Sequence, residues 1–312
     1  MALKKIKNKR QKLVILFIIC LFILPAAASA KNYRVIFNHL DGIGDDYGPG
    51  NYDYPQYHIF QNKGHLFDLR SMTIYEAEAE YKIRFAFTNL TDPWGAKYGF
   101  SLPLIEIYID HQNGGSSQLF QEGANVRFKE DFKWNKLIKI SGWWVRLFNP
   151  DSKQENLLNI NELSLSNPVS NGDLSLRRKD NNLFLKIPKS VIDSLQQSKI
   201  IVMVGSFDPF GYDHFRSISK SRSSWQVYSK SNISNSKSTR VLDLLVPGGR
   251  SQKKILRGEL PALPYLKIGN ERPARQPTLV DQLQPLNKIS LSILFLYILI
   301  LIFVLYKFNY NK

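Results

Sequence analysis

The sequence contains a single cysteine, Cys20, which lies inside an apolar run near the N-terminus. The rest of the chain therefore has no disulfide, and no thiol that could act as a nucleophile or a metal ligand. Ile18 and Ile19 precede Cys20, whereas lipoprotein processing needs small residues there, so we predict no lipid anchor. The fold must then depend on a hydrophobic core, on metal ions, or on both.

The sequence patterns of common enzymes are also missing. It has no Gly-x-Ser-x-Gly elbow, no phosphate-binding loop and no His-Glu-x-x-His pattern, and its five histidines are scattered. We therefore predict no catalytic residues and no enzyme activity. An unrecognised glycoside hydrolase is the third alternative for function, because two carboxylates suited to that reaction leave no pattern in a sequence.

Residues 1–30 are predicted to form a cleaved signal peptide. Six basic residues between Lys4 and Lys12 precede the apolar run Leu13 to Leu24, and Ala28-Ser29-Ala30 supplies the small residues needed for cleavage. An uncleaved N-terminal anchor is the alternative, although the run is shorter than the roughly 20 residues of a bilayer span. The mature chain would begin at Lys31.

Residues 289–306 are predicted to form a transmembrane helix, because this segment is apolar throughout and carries no charge. Lys307 and Lys312 follow in a predicted cytoplasmic tail, residues 307–312. A buried core helix is the alternative. Residues 271–288 contain three prolines and read as a linker. The chain is thus predicted to be a single-pass protein of the cell membrane with an extracytoplasmic ectodomain, residues 31–270.

The net charge of +16 is unevenly distributed. Six positive charges belong to the predicted signal peptide and three flank the C-terminal apolar run, which leaves +7 for the ectodomain. A moderately basic surface of this kind is not the field of a nucleic-acid-binding protein, so we predict no nucleic-acid partner. Attraction to anionic lipids or wall polymers, or solubility alone, would account for the positive charge of the ectodomain.

Short strands separated by turn-rich loops dominate the ectodomain. Ile105, Ile107 and Ile109 alternate with Glu106, Tyr108 and Asp110, and this period of two predicts one set in a core and the other toward solvent. Strands are predicted at 34–37, 71–75, 81–87, 105–109, 143–147, 183–187 and 200–204. These strands indicate an all-β, antiparallel β-sandwich, with one short helix at Pro188 to Leu195.

A glycine-rich segment, Asp41-Gly-Ile-Gly-Asp-Asp-Tyr-Gly-Pro-Gly50, holds the densest group of carboxylates. Glycines let a loop fold tightly enough for several oxygens to converge, which suits calcium with its six to eight oxygen ligands. The spacing is not that of an EF-hand. A solvated turn is the alternative reading.

Six blocks of sequence, in order, resemble the C-terminal module of glucodextranase, which also occurs in pullulanase-like and surface-layer-associated proteins. They are the Asp41–Gly50 loop, Leu66–Leu69, Asn89–Trp94 with Tyr98–Ser101, Ile105–Asp110, Gly205–Gly211 with Arg216, and Val241–Leu245 with Pro247. Asp41-Gly42 and Asp208-Pro209 depart from the family pattern, which has Asp-Pro and Asp-Gly there.

The resemblance implies a jelly-roll-like sandwich related to family 9 carbohydrate-binding modules, with bound structural Ca²⁺ and a role in sugar binding or surface attachment. The expected calcium ligands are Asp41, Asp45, Asp46 and Asp68. Weaker candidates are Asp110, Asp208 and Asp213.

Sugar rings stack on exposed aromatic side chains. The candidates for this contact are Trp94, Trp143, Trp144, Trp225, Tyr52 and Tyr54. A place in the core is the alternative for each of them. Trp143 and Trp144 are adjacent in a predicted strand, so one is expected to face inward and the other outward.

These observations predict a non-catalytic, membrane-anchored carbohydrate-binding module for glucan or cell-wall polysaccharide. The alternative is an envelope attachment protein that binds wall polymer or surface-layer protein through a basic segment, Arg216 to Arg240. From Ser217 onward this segment is predicted to be a long exposed loop or an irregular edge.

Overall fold

The computed structural model describes residues 32–61, 63–151, 174–211, 213–230 and 237–269. The predicted signal peptide, linker, transmembrane helix and cytoplasmic tail lie outside these ranges. Within them, no helix is both long enough and apolar enough to cross a membrane.

Strands make up nearly all of the regular structure in the described residues. The first sheet consists of β1 (Arg34–Leu40), β3 (Leu69–Glu76), β4 (Glu80–Phe87), β9 (Ser175–Lys179) and β10 (Asn182–Pro188). The second consists of β5 (Pro103–Asp110), β7 (Lys136–Ile140), β8 (Val145–Phe148), β11 (Lys199–Ser206), β13 (Val241–Leu244) and β15 (Leu266–Lys267). Shorter elements are β2 (Tyr52–Asp53), β6 (Arg127–Phe128), β12 (Tyr228–Ser229), β14 (Ala262–Leu263), α1 (His58–Gln61), α2 (Gln252–Ile255) and a 3₁₀ turn, Glu122–Ala124.

Both large sheets are antiparallel. The strand order of the first is β1-β3-β4-β10-β9, and that of the second is β13-β11-β5-β7-β8 with β15 beside β11. Two small pairs complete the structure, the antiparallel β2–β12 and the parallel β6–β14. The predicted all-β, antiparallel sandwich is confirmed, and each of the seven predicted strands overlaps a strand of one of the two sheets.

The two sheets enclose one continuous hydrophobic core. On β4, Ile83 and Phe85 are buried and alternate with the partly exposed Lys82 and Arg84. Ile107 of β5 enters the same core from the second sheet. Burial of each such side chain contributes about 1.5–3 kcal/mol relative to exposure, so this alternation sets which face of each strand turns inward.

The second sheet is covered on its other face as well, which corrects one prediction. Glu106 and Tyr108 were expected to face solvent but are 3% and 1% exposed. A second hydrophobic cluster, built largely from loop residues such as Phe120, covers this face. The Glu106 carboxylate is compensated by Lys139, whose Nζ lies 2.8 Å from Oε1. Alternation within one strand does not reveal a loop that returns to cover it.

The predicted helix at Pro188 to Leu195 is wrong. Pro188 ends β10, and a hydrogen-bonded turn follows, in which the N–H groups of Val191 and Ile192 donate to Pro188 O. Proline in a first helical position also suits a turn. Strand β10 thus ends at Pro188, the residue at which the helix was expected to begin.

Gly142, just before β8, allows two loops to approach each other closely. A Cβ at this position would lie 1.6 Å from the carbonyl oxygen of Phe100. The neighbouring backbone is hydrogen-bonded, because Tyr98 N–H donates to Gly142 O at 2.8 Å. This contact attaches the 94–100 turn to the segment that carries Trp143.

Replacing Gly142 with alanine should destabilise the protein by about 3 kcal/mol or more, because the new Cβ meets backbone that cannot rotate away. A loss of this size lowers the melting temperature by about 6–12 °C. Gly248→Ala is the matched control, since nothing lies within 4 Å of a Cβ built there. Equal melting temperatures for the two variants would contradict the close approach.

Candidate functional site

The glycine-rich loop that follows β1 lies between the two sheets' strand ends. Asp41 N–H donates to Arg70 O at 2.9 Å, and Gly48 N–H donates to Leu242 O at 2.9 Å. Gly44 has a φ of +77°, which favours glycine, and its N–H donates to Asp68 Oδ1 at 2.8 Å. The loop thereby brings its carboxylates to the beginning of β3 and to β13.

Carboxylates from three separate segments converge at this place. Asp45, Asp68 and Asp243 each offer an oxygen, and these oxygens lie within 4.8 Å of one another. Asp68 and Asp243 are fully buried. Gly42 makes room for the group, because a Cβ there would lie 2.6 Å from Asp45 Oδ2.

Asp41 extends this group, and the four residues Asp41, Asp45, Asp68 and Asp243 are called the acidic cluster below. Burial, together with the charge of Asp45, raises the pKa of Asp41 to about 8. Burial raises the pKa of Asp243 well above its ordinary value, with Asp41 and Asp45 adding to the effect. Burial and the nearby Asp68 likewise raise the pKa of Asp45. So many carboxylates cannot all be ionised here without a cation.

The acidic cluster fits a hard metal ion by the chemistry of its oxygens. Both side-chain oxygens of Asp41 and Oδ1 of Asp45 are buried, and no donor among the described residues meets hydrogen-bond geometry with them. Buried polar atoms are rarely left in this state. An all-oxygen set of several carboxylates is the donor set that calcium prefers.

Asp46 has a different set of partners from the other predicted ligands. It is fully buried and accepts hydrogen bonds from Tyr54 Oη, from His65 Nδ1 at 3.1 Å and from Phe67 N–H at 3.0 Å. These donors occupy both oxygens, so Asp46 joins the loop to the segment before β3 and does not converge with the acidic cluster.

Asp243 was not among the sequence candidates. It lies in β13, where every other residue is apolar and all four are buried, and its Oδ1 accepts a hydrogen bond from Leu244 N–H. The feature of the sequence that could have identified Asp243 is a carboxylate inside a short apolar strand. The weaker candidates Asp110, Asp208 and Asp213 each lie within 4 Å of a lysine or arginine, away from the acidic cluster.

Four aromatic side chains from separate loops follow one another as neighbouring rings and are called the aromatic row below. The ring centroids of Tyr57 and Trp225 are 4.3 Å apart, with Trp225 6.4 Å from Trp94 and Trp94 6.4 Å from Trp143. Tyr57, Trp94 and Trp225 are 38%, 37% and 40% exposed, and Trp143 is partly buried. The structure thus brings together three predicted sugar contacts and adds Tyr57.

Hydrogen bonds hold the loops of the aromatic row in place. The N–H groups of Gln56 and Tyr57 donate to Ser223 O and Ser224 O at 2.8 and 3.1 Å. In the turn that carries Trp94, Ala96 N–H donates to Asp92 Oδ1 at 2.8 Å. The rings are consequently attached to backbone that pairs with other parts of the fold.

Trp143 and Trp144 do not lie on opposite faces of a strand as expected. Strand β8 begins at Val145, and both tryptophans lie in the preceding turn, where their N–H groups donate to Ser141 Oγ. Both rings contact Phe207, with centroids 4.9 and 6.0 Å away. Trp144 is 8% exposed and belongs to the second hydrophobic cluster.

The two predicted tyrosines also lie outside the aromatic row. Tyr52 is 4% exposed and donates to Thr239 O at 2.6 Å. Tyr54 donates to Asp46 and packs against the inter-sheet core.

The basic segment Arg216 to Arg240 is partly built into the fold, so an irregular edge, the second of the two predicted alternatives, describes it better than an exposed loop. Ile218 and Val227 are buried, and β12 pairs with β2. Several of its cations have local partners. Lys230 lies 2.7 Å from Asp53 Oδ1, Arg240 lies 3.5 Å from Asp213 Oδ2, Arg216 donates to Phe207 O, and Arg222 donates to Tyr228 Oη.

Comparison with known proteins places this arrangement in a family. No curated protein matches the chain. Residues 36–262 match the family described as the C-terminal binding-module, SLH-like, of glucodextranase. The match covers both sheets except for β15 and the first two residues of β1, and it includes the acidic cluster and the aromatic row. The chain belongs to the glucodextranase C-terminal binding-module family.

Proposed function

We propose that this chain is a non-catalytic carbohydrate-binding module that holds a glucan or cell-wall polysaccharide on the aromatic row. The observation that carries the proposal is the proximity of Tyr57, Trp225 and Trp94, each more than a third exposed. Membership of a binding-module family supports a binding role. The N- and C-terminal segments further suggest display on the outer side of the cell membrane, where such a polymer would be found.

The geometry of the row suits the faces of sugar rings. Neighbouring ring centroids lie 4.3–6.4 Å apart and the ring planes are inclined by 24–37°, so the rings pack on one another and their exposed parts together form apolar surface among polar loops. The C–H faces of pyranose rings pack on such surfaces, and polar side chains at the edge accept and donate to the hydroxyls.

Calcium in the acidic cluster would have a structural role in this proposal. Asp41 and Asp45 come from the glycine-rich loop, Asp68 precedes β3, and Asp243 lies in β13. A cation bound by these oxygens would neutralise their repulsion and hold the three segments together. A ligand that binds only the folded state stabilises it.

The alternative is an envelope attachment protein that acts through the basic segment Arg216 to Arg240. The local partners of Arg216, Arg222, Lys230 and Arg240 reduce the charge available to an outside polymer. A glycoside hydrolase is the third possibility. It would require two carboxylates beside the sugar. The carboxylates of the acidic cluster are instead largely buried around the glycine-rich loop.

Trp94→Ala and Trp225→Ala should each raise the Kd for the bound glucan at least tenfold, because each removes a stacking surface at the centre of the contact. Calorimetry of the full-length protein with a panel of soluble α- and β-glucans measures this change. Phe210→Ala is the control, since Phe210 is 73% exposed and belongs to none of the described ring contacts with the row.

Glucan binding that survives both tryptophan substitutions would show that the aromatic row is not the binding site. Binding that disappears in moderate salt, without dependence on the tryptophans, would favour the attachment protein. Release of reducing sugar from the glucan would favour the hydrolase.

Calcium should raise the melting temperature of the protein by about 5–10 °C at a concentration near 100 times its Kd. Asp45→Asn should abolish this shift and, in EDTA, should melt slightly higher than the wild type because one repelling charge is gone. Asp53→Asn, in β2 just after the loop and paired with Lys230, should keep the shift. An equal calcium shift in all three proteins would rule out the acidic cluster as the site.

The metal-free protein should lose stability as the pH rises from 5 to 8. The folded state keeps the proton of Asp41 up to a pKa of about 8, whereas the unfolded chain releases it near its ordinary value of 3.8. The unfolded state therefore binds fewer protons in this range, and the free energy of unfolding falls with pH. Thermal melts in EDTA measure this, and Asp41→Asn should flatten the profile. A stability that rises over this range in the wild type would contradict the assignment.

A further inference from the structure

The outer face of the first sheet is strongly cationic. This outer face consists of the side chains of β3, β4, β9 and β10 that point away from the inter-sheet core. Its cations come from three adjacent strands and are Lys82, Arg84, Arg177, Lys179 and Lys186. The described strands contribute one carboxylate, Glu80, at the end of β4, and its Oε1 lies 3.9 Å from Lys186 Nζ. None of these residues belongs to the acidic cluster or to the aromatic row.

Strand register arranges the cations in rows across the sheet. Lys186 of β10 lies directly opposite Lys82 of β4. In the next row, Phe184 of β10 lies between Arg84 of β4 and Arg177 of β9. Neighbouring strands are about 4.8 Å apart, so the positive charges are spaced closely along lines that run perpendicular to the strands.

This arrangement costs stability in the isolated protein. Like charges directly opposite each other on neighbouring strands are destabilising. Burial and the charge of Lys186 lower the pKa of Lys82, with Glu80 acting in the opposite direction. Arg84 Nε is buried and has no hydrogen-bond partner among the described residues. A bound anion would offset the repulsion and would supply an acceptor.

The groups between the cations favour a sugar polymer over a bare polyanion. Phe184 and Tyr75 are half-buried and present ring surface beside the charges, and Lys82 Nζ lies 4.8 Å from the ring centroid of Tyr75. Asn182 flanks the row of Phe184. Apolar ring faces and amide groups among cations match the C–H patches, hydroxyls and carboxylates of uronic-acid units.

We propose that the outer face of the first sheet binds an acidic polysaccharide, a linear polymer of sugar units that carry carboxylates. The polymer lies across β4, β10 and β9, its carboxylates pair with the lysines and arginines, and its sugar rings pack on Phe184. This surface is separate from the segment Arg216 to Arg240 and does not depend on glucan binding at the aromatic row.

The test uses the full-length protein in detergent and polygalacturonate as the probe, at 50 and 200 mM salt. Lys82→Gln/Lys186→Gln and Arg84→Gln/Arg177→Gln should each raise the Kd at least tenfold at the lower salt. The slope of log Kd against log salt should also decrease by about two, since each variant removes two ionic contacts. Binding of neutral glucan should not change.

Lys129→Gln/Lys133→Gln is the matched control, because both lysines are exposed in the loop between β6 and β7 and the same charge is removed. It should change the Kd less than twofold. Thermal melts check folding, and Lys82→Gln/Lys186→Gln should melt within a few degrees of the wild type, because it removes a like-charge pair together with the exposed ion pair between Lys186 and Glu80. Lys186→Gln alone, at an exposed position, is the milder variant and should raise the Kd at least threefold.

Three results would overturn the proposal. An equal loss in the control would show that net charge alone drives the binding. Equally tight binding of inorganic polyphosphate would show that the sugar units make no contact. Binding to vesicles containing phosphatidylglycerol, with none to polygalacturonate, would assign the outer face to a membrane surface.

Discussion

Repulsion among buried carboxylates is the constraint on which much of this structure depends. Asp45, Asp68 and Asp243 offer oxygens within 4.8 Å of one another. They come from three separate segments, namely the glycine-rich loop, the residue just before β3, and β13. The same loop continues into β2, which pairs with β12 three residues after Trp225, and Tyr57 follows β2. The acidic cluster is therefore connected through short lengths of backbone to the rings of the aromatic row.

The sandwich separates its surfaces by function. One sheet is covered on both faces, so its outer layer of loops positions the tryptophans and contains the buried Glu106–Lys139 pair. The other sheet carries cations on its outer face, where Lys186 is exposed and Lys82 and Arg84 are partly exposed. Each sheet thus presents different chemistry, an aromatic row held by loops on one and a charged plane of strands on the other.

Local patterns predicted the strands well because burial against one core imposes a period of two. The same rule failed for Glu106 and Tyr108, since a returning loop covers them. It also failed at Trp143 and Trp144, where the strand begins two residues later than expected. Proline at 188 was compatible with both a helix start and a turn, and the end of β10 decided between them.

The sequence by itself determined the all-β class, most of the strands and the loop whose glycines gather carboxylates, because these follow from periodicity and from backbone freedom over a few residues. Only the tertiary structure brought Asp243 to that loop, gave Asp46 other partners, placed Tyr57 near Trp94 and Trp225, and set Lys82 opposite Lys186. Such contacts join residues far apart in the chain. Their distances are determined by sheet register and by loop packing, neither of which is encoded in any single segment.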